Sequence, residues 1–272
     1  MTVEPNDRNL ALAINAAAYD ERDESRVVAG SPHLKYASLK KLYESLVHEI
    51  TADRPTSLSV LELGAGDGLG TTPWFATTAR VIAVDCSEKM LARLAGRALA
   101  SGSDVKTVLS DAETFIATTA DRFDVVCFVS MLHHVPDYLA LLRNASKIVN
   151  PGGCFLTFQD PLRYDALPLF VHQFDRMSYF AWRLGQGNLK RGIKTRLRRL
   201  RGVYSPNEGV DYEEYHVVRN GVDSEEIIRQ LRVEFEDVRK VTYWSSLGSF
   251  WQASGEHLGL RNTFGVLAKG RR

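Results

Sequence analysis

Between residues 58 and 160, apolar positions come in short β-branched runs separated by stretches of helical periodicity. That alternation predicts a parallel sheet with crossover helices. Strands are predicted at Leu58–Leu63, Arg80–Asp85, Val105–Leu109, Asp124–Ser130 and Gly153–Asp160. After the second strand, Met90, Leu91, Leu94 and Ala98 share one helical face behind a candidate N-cap, Ser87. A helix over about 137–149 turns Leu141, Leu142, Ala145 and Ile148 inward. It stops at Asn150-Pro151-Gly152, where proline cannot continue the helix and glycine takes the turn. Such a chain folds as a doubly wound α/β sheet whose ligands sit beyond the C-terminal ends of its strands.

The flanks depart from this rhythm. Residues 1–50 read as a helical segment before the first strand, with Leu39, Leu42, Tyr43, Leu46, Val47 and Ile50 at helical spacing. Residues 161–222 read as a mainly helical insertion after the fifth strand. Its first part sets Phe170, Phe174, Met177 and Ala181 on one face, either packed on the sheet or roofing a hydrophobic ligand, or both. Farther on, Leu189, Ile193, Leu197 and Leu200 form an apolar stripe, and Lys190, Arg191, Lys194, Arg196, Arg198, Arg199 and Arg201 cover the rest. The core resumes over 223–272. A helix has Asp223 as N-cap, Glu226 at the capping-box position and Ile228, Leu231 and Phe235 inside. Two strands follow, about 237–244 and 262–269, with a short helix within 247–258 between them.

Composition narrows the setting. At 272 residues and 44% hydrophobic content, the chain can bury a sizeable core. A net charge of +1 gives no global field toward nucleic acid or membrane. The opening MTVEPNDRNL has acids and no apolar stretch, unlike a signal peptide, and no apolar run approaches the ~20 residues that span a bilayer. A cytoplasmic protein without stable membrane insertion is expected. Cys86, Cys127 and Cys154 lie in or beside predicted strands without C-x-x-C pairing, so they read as buried reduced thiols, with no metal site.

The first strand runs into LELGAGDGLG, residues 61–70, with Gly64, Gly66, Gly68 and Gly70 at every second position behind Glu62. A dinucleotide fingerprint, G-x-G-x-x-G, needs a third glycine where Leu69 or Thr71 stands, so it fails in both registers. The G-x-G-x-G spacing behind an acid instead resembles motif I of class I S-adenosylmethionine-dependent methyltransferases. Four further elements occur in that family's order. Asp85 in VIAVDCSEKM matches the acid that takes both ribose hydroxyls. Asp111 in LSDAETF matches the carboxylate that receives the adenine amino group. DVVCFVSMLHHVPD matches the fourth strand and the residues just beyond it, and NPGGCF matches the turn into the fifth.

The resemblance, over roughly 58–160, implies a Rossmann-like sheet of about seven strands and S-adenosyl-L-methionine as cofactor. It assigns the cofactor site to Glu62, Gly64, Ala65, Gly66, Asp67, Gly68, Asp85, Cys86, Asp111, Ala112, Ser130 and Met131. The chemistry of that cofactor agrees with these residue types. It has no phosphate, and the loop has no lysine; its sulfonium and ammonium favour acids such as Glu62 and Asp67 nearby. Glycines let backbone groups close on the ligand, and a carboxylate can accept two hydroxyl hydrogen bonds. Glu62 has a second reading, holding the loop rather than touching ligand. Tyr19 resembles a tyrosine that small-molecule methyltransferases bring over the cofactor carboxylate, and a packing role is its alternative.

Methyl transfer is an in-line displacement that requires an aligned acceptor, excluded water and, for a hydroxyl, removal of a proton. His133 and His134, just beyond the fourth strand, resemble the double-histidine stretch of small-molecule methyltransferases, sugar-modifying ones among them. His133 is the first candidate base and His134 the second, since an imidazole titrates near working pH. The competing reading makes them caps or loop braces. Asp160, Tyr164 and His172 read as rim or packing groups. No Asn-Pro-Pro-Tyr type sequence follows the fourth strand and no protein-tail acceptor motif is present, which disfavours nucleic-acid and protein acceptors. A small-molecule acceptor in bacterial specialised or cell-surface metabolism is expected. O-methylation leads, ahead of N- or C-methylation and of other chemistry on the same fold, such as cyclisation. The basic stretch reads as a solvated face, a grip on an anionic or glycosylated acceptor, or a docking surface. A homodimer stays open.

Overall fold

The β-branched and aromatic runs pair as one seven-stranded sheet in a computed structural model that describes residues 24–52, 54, 57–77, 79–185 and 220–272. Tyr19 and the basic stretch 189–201 lie outside the described residues. The strands are β1 Ser59–Leu63, β2 Arg80–Asp85, β3 Val105–Leu109, β4 Phe123–Val129, β5 Val149–Pro161, β6 Phe235–Tyr243 and β7 Thr263–Arg271, in the order β3-β2-β1-β4-β5-β7-β6. The first five are parallel, and β7 runs antiparallel between β5 and β6. Because β1 pairs with both β2 and β4, the strand order reverses there, and a crevice opens at such a switch point.

The described helices are α1 Glu24–Gly30, α2 Pro32–Lys35, α3 Ala37–Thr51, α4 Thr72–Phe75, α5 Glu88–Ser101, α6 Ala112–Thr118, α7 Tyr138–Lys147, α8 Leu169–Gly185, α9 Ser224–Glu234 and α10 Ser249–His257. Central strands are apolar on both faces because helices cover both. Val126 and Phe128 of β4 meet Leu141 and Leu142 of α7 and Leu231 of α9 in one core. Val125 and Cys127 face the other core, with Leu46 and Ile50 of α3, Trp74 of α4 and Leu94 of α5. Truncating a fully buried side chain such as Trp74 to alanine costs about 3–5 kcal/mol. Trp74 also donates its indole N–H to the Tyr43 hydroxyl at 3.2 Å, which ties α4 to α3 directly after the glycine loop.

The caps follow the sequence. Ser87 Oγ accepts from Met90 N at 3.2 Å, and Asp223 accepts from Glu226 N at 3.0 Å. Other expectations need correction. Gly152 takes the turn at Asn150-Pro151-Gly152 with a φ of 73°, but β5 already begins before it, at Val149, which pairs with Phe123. The register then shifts so that Val125 meets Cys154, and the proline and glycine sit in the bulge between. Glu226 makes no capping box, since its carboxylate takes Arg229 and Gln230 while the Asp223 N–H goes to the Tyr138 hydroxyl. Phe235 opens β6 rather than closing α9. On α8, Phe170 and Met177 are exposed (61% and 57%), and Phe174 sets its ring against Trp244 and Trp251. That helix packs on the turn after β6 and on α10 rather than on the sheet. The chain returns where it left the sheet. Leu162 bridges Val222, and Val222 N donates to Pro161 O at 3.0 Å.

Candidate active site

The loop after β1 is held by its own backbone. Gly64 N and Ala65 N both donate to Val84 O of β2, at 2.8 and 3.1 Å. Gly64, Gly66 and Gly68 have φ of 73°, 56° and 83°, where a side chain is strained. At Gly64 a Cβ would lie 2.7 Å from Met131 Cγ, and at Gly68 2.7 Å from Leu94 Cγ. Gly68 therefore serves packing of the loop on α5, and it is not in the wall of the cleft that opens here.

That cleft, about 170 Å³, lies at the C-terminal ends of β1, β2 and β4. Of the residues expected to hold cofactor, Glu62, Gly64, Ala65, Gly66, Asp67, Asp85, Cys86, Asp111, Ala112, Ser130 and Met131 line it. Cys86 is half-buried there rather than buried, whereas Cys127 and Cys154 are buried free thiols. Asp85 is also a brace: Oδ2 accepts from Gly66 N and Oδ1 from Ser87 N, each at 2.9 Å. Asp111 caps α6 by accepting from Thr114 N at 2.9 Å. Ser130 holds a left-handed φ of 55°, a strain of order 1 kcal/mol, and its N–H donates to Phe158 O at 2.7 Å.

The two acids of the loop differ. Asp67 lies 3.6 Å from the Arg97 guanidinium, so its charge is already answered. Glu62, 1% exposed, has no ion pair among the described residues, and its Oε2 has no hydrogen-bond partner. Burial pushes its carboxyl up to about 8, with the Thr71 hydroxyl opposing and the Asp85 carboxylate adding to the rise. A buried carboxyl without a cation, a glycine cradle and the Asp85 carboxylate fit a nucleoside ligand that brings positive charge and no phosphate.

The other end of the cleft carries imidazoles. His133 and His134 lie in the 3₁₀ turn Leu132–His134, with ring centroids 4.1 Å apart. His134 lines the cleft. His133, which is not in its wall, sets Nδ1 2.8 Å from Asp160 Oδ1, and its own N–H donates to the same oxygen at 3.1 Å. Asp160 is fully buried, so it is a partner of His133 rather than a rim group. Tyr164 and His172 stack on one another, with centroids 5.9 Å apart. Sequence reasoning missed His33 of α2, which is 4% exposed and lines the cleft with Val27, Ser31 and Leu34. Nothing in its spacing marks it, since it follows a proline in a four-residue helix with no periodic partner. Among the described residues there is no cluster of three or more potential metal ligands, and no helix long and apolar enough to cross a membrane.

A family model described as a methyltransferase domain matches residues 36–211. Ubiquinone biosynthesis O-methyltransferases from Aliivibrio fischeri (strain ATCC 700601 / ES114) and Caulobacter vibrioides are each 35% identical, over 94 and 96 residues. Each match covers 35% of this chain, and 40% and 38% of those proteins respectively, so the chain spans about two fifths of the curated relatives it matches. Two solved structures share the fold over 97% of this chain. They are the N-methyltransferase NodS from Bradyrhizobium japonicum WM9 (98% of that chain, TM-score 0.56, 15% identity) and magnesium protoporphyrin IX methyltransferase ChlM from Synechocystis PCC 6803 (99%, 0.57, 14%). Both hold S-adenosyl-L-homocysteine.

Proposed function

The chain belongs to this methyltransferase domain family, and from that premise we propose that it methylates a hydroxyl of a small molecule with S-adenosyl-L-methionine. One observation carries the reading. A cleft with a glycine cradle and an unanswered buried carboxyl at one end reaches, at the other, a histidine turn backed by a buried carboxylate. The aligned O-methyltransferases point to oxygen as the acceptor atom.

Bound in the cradle, the cofactor supplies an electrophilic methyl group on a positively charged sulfur. The Gly64–Gly66 backbone would hold its methionine and ribose, Asp85 would accept from ribose hydroxyls, and Asp111 and Ala112 would flank the base, since all of them line the cleft. Glu62, protonated in the free fold, would give up its proton as the cation arrives and so supply the counter-charge. Asp160 accepts the Nδ1 proton of His133 and holds that ring in one tautomer. Nε2 is then left as the lone-pair nitrogen that takes the hydroxyl proton, and His134 forms the wall beside it. The basic stretch 189–201 grips an anionic group on the acceptor, for which arginine suits better than lysine.

The test is release of S-adenosylhomocysteine with a panel of phenols, glycosides and aliphatic alcohols, followed by mass spectrometry of the products. Acceptor-dependent release with a gain of one methyl on oxygen is expected. Cofactor binding without release across the panel would favour other chemistry, and methyl found only on nitrogen or carbon would move the acceptor class.

A further inference from the structure

We propose that His33 is an acceptor-positioning residue: it hydrogen-bonds the hydroxyl of an acceptor with an apolar body, at the end of the cleft where the histidine turn lies. The inference rests on the methyl-transfer reading above and adds to it the group that holds the nucleophile.

Three observations meet at this side chain. His33 is buried yet lines the cleft, and its Nδ1 has no hydrogen-bond partner. Buried polar atoms are nearly always satisfied, so an unpaired nitrogen facing a cleft marks a place for a ligand. Packing alone does not account for an imidazole here. The ring meets Phe158 edge-on, 6.3 Å between centroids, a contact that an apolar side chain would make without an unpaired nitrogen.

Its position is at the acceptor end. His33 is close enough to His133 for the two rings to interact electrostatically, although α2 and the histidine turn are a hundred residues apart in sequence. Burial first, and His133 second, push its pKa down to about 3. The ring is therefore uncharged across the working range, with one N–H and one lone pair to offer. A ring that does not take up a proton is no general base, and an uncharged one places no repulsive cation near a sulfonium. Val27, Leu34 and Val135 line the same cleft, so the body that carries the hydroxyl meets apolar walls.

The experiment loads the protein with S-adenosylhomocysteine and titrates phenol, the simplest hydroxyl on an apolar ring, while histidine side-chain ¹⁵N resonances are followed. In the wild type the His33 resonances should shift saturably. Phenol affinity should fall at least about tenfold in His33→Phe, about 1.4 kcal/mol, and recover in part in His33→Gln, which restores a donor and an acceptor. S-adenosylhomocysteine affinity should stay within about twofold in both. Unshifted His33 resonances, or phenol binding to His33→Phe as to wild type, would overturn the proposal. Equal weakening of both ligands in His33→Gln would overturn it too, by showing a structural role. If His33→Phe does not fold, His33→Gln and the wild-type resonances decide. Failure of the wild type to bind S-adenosylhomocysteine would instead remove the methyl-transfer reading itself.

Discussion

At the glycine-loop end of the cleft two carboxylates are tied to the backbone: Asp85 accepts from Gly66 and Ser87, and Asp111 caps α6. At the histidine end, His33 Nδ1 and Asp160 Oδ2 are buried without hydrogen-bond partners. Asp85 finds its partners 19 and two residues away in sequence, and Asp111 bonds three residues away. The histidine end draws on α2, the turn after β4 and the end of β5, three segments far apart in sequence. The first end is thus part of the fold, and its residues do two jobs at once. The second is carried by the finished sheet, and there, as at Glu62 in the first, buried polar atoms stay unspent. Substitutions at the first should therefore disturb stability and binding together, and substitutions at the second should disturb turnover with little loss of cofactor.

The sharpest break of that contrast is His133→Ala. It should lower turnover by about 10²–10⁴ while calorimetry finds nearly unchanged S-adenosylmethionine affinity. Near-normal turnover would pass the proton to His134 or to solvent. Asp85→Ala should do the reverse. Loss of charge-assisted hydrogen bonds should weaken cofactor binding at least about tenfold, and loss of the Gly66 and Ser87 contacts should lower the Tm as well. A weakened affinity with an unchanged Tm would show that the loop does not depend on this brace.

Glu62 and His33 sharpen the contrast through pH. The Glu62 carboxyl, at about 8 in the fold against 4.5 ordinarily, holds its proton more tightly folded than unfolded. Its contribution is full below about 4.5 and lost as pH rises through 8. His33, at about 3 against 6.5, contributes fully above about 6.5 and loses that contribution as pH falls toward 3. Of the two, only Glu62 acts between 6.5 and 8. There the Tm of the cofactor-free protein should fall with rising pH, and Glu62→Gln should flatten the slope. A flat wild-type curve would mean that Glu62 is already ionised and partnered. The smallest effect is expected from replacing Arg196, Arg198 and Arg199 together by Gln. Acceptor KM should rise a few-fold with a weaker response to salt, as loss of a salt-screened attraction predicts; unchanged KM and salt response would remove the anion-gripping role.

The same division decided what the sequence could tell. The bounds of β2 and β3, the caps Ser87 and Asp223 and the glycine loop rest on local chemistry, and all were legible. The start of β5 was not, because Pro151 reads as a terminator until Val149 is seen to pair with Phe123 across a bulge. The seat of α8 was not legible either, because Phe174 packs against Trp244 and Trp251, seventy residues and more along the chain, rather than on the sheet. His33 and Asp160 carry no local mark at all; each acquires meaning only from neighbours about a hundred and 27 residues away respectively.

The meeting of Pro161–Leu162 with Val222 has an evolutionary side. A stretch whose two ends are already a hydrogen bond apart can be lengthened, trimmed or exchanged without moving any strand. Loop closure adds only about 0.6 kcal/mol for each doubling of length. Such a change leaves the closure at Val222 in place but has to keep the seat of α8, where Phe174 meets Trp244 and Trp251 and Asp175 accepts from Asn262 Nδ2 at 2.7 Å. Grafting the corresponding stretch of a relative between Leu162 and Gly221 would exploit the same socket in the laboratory.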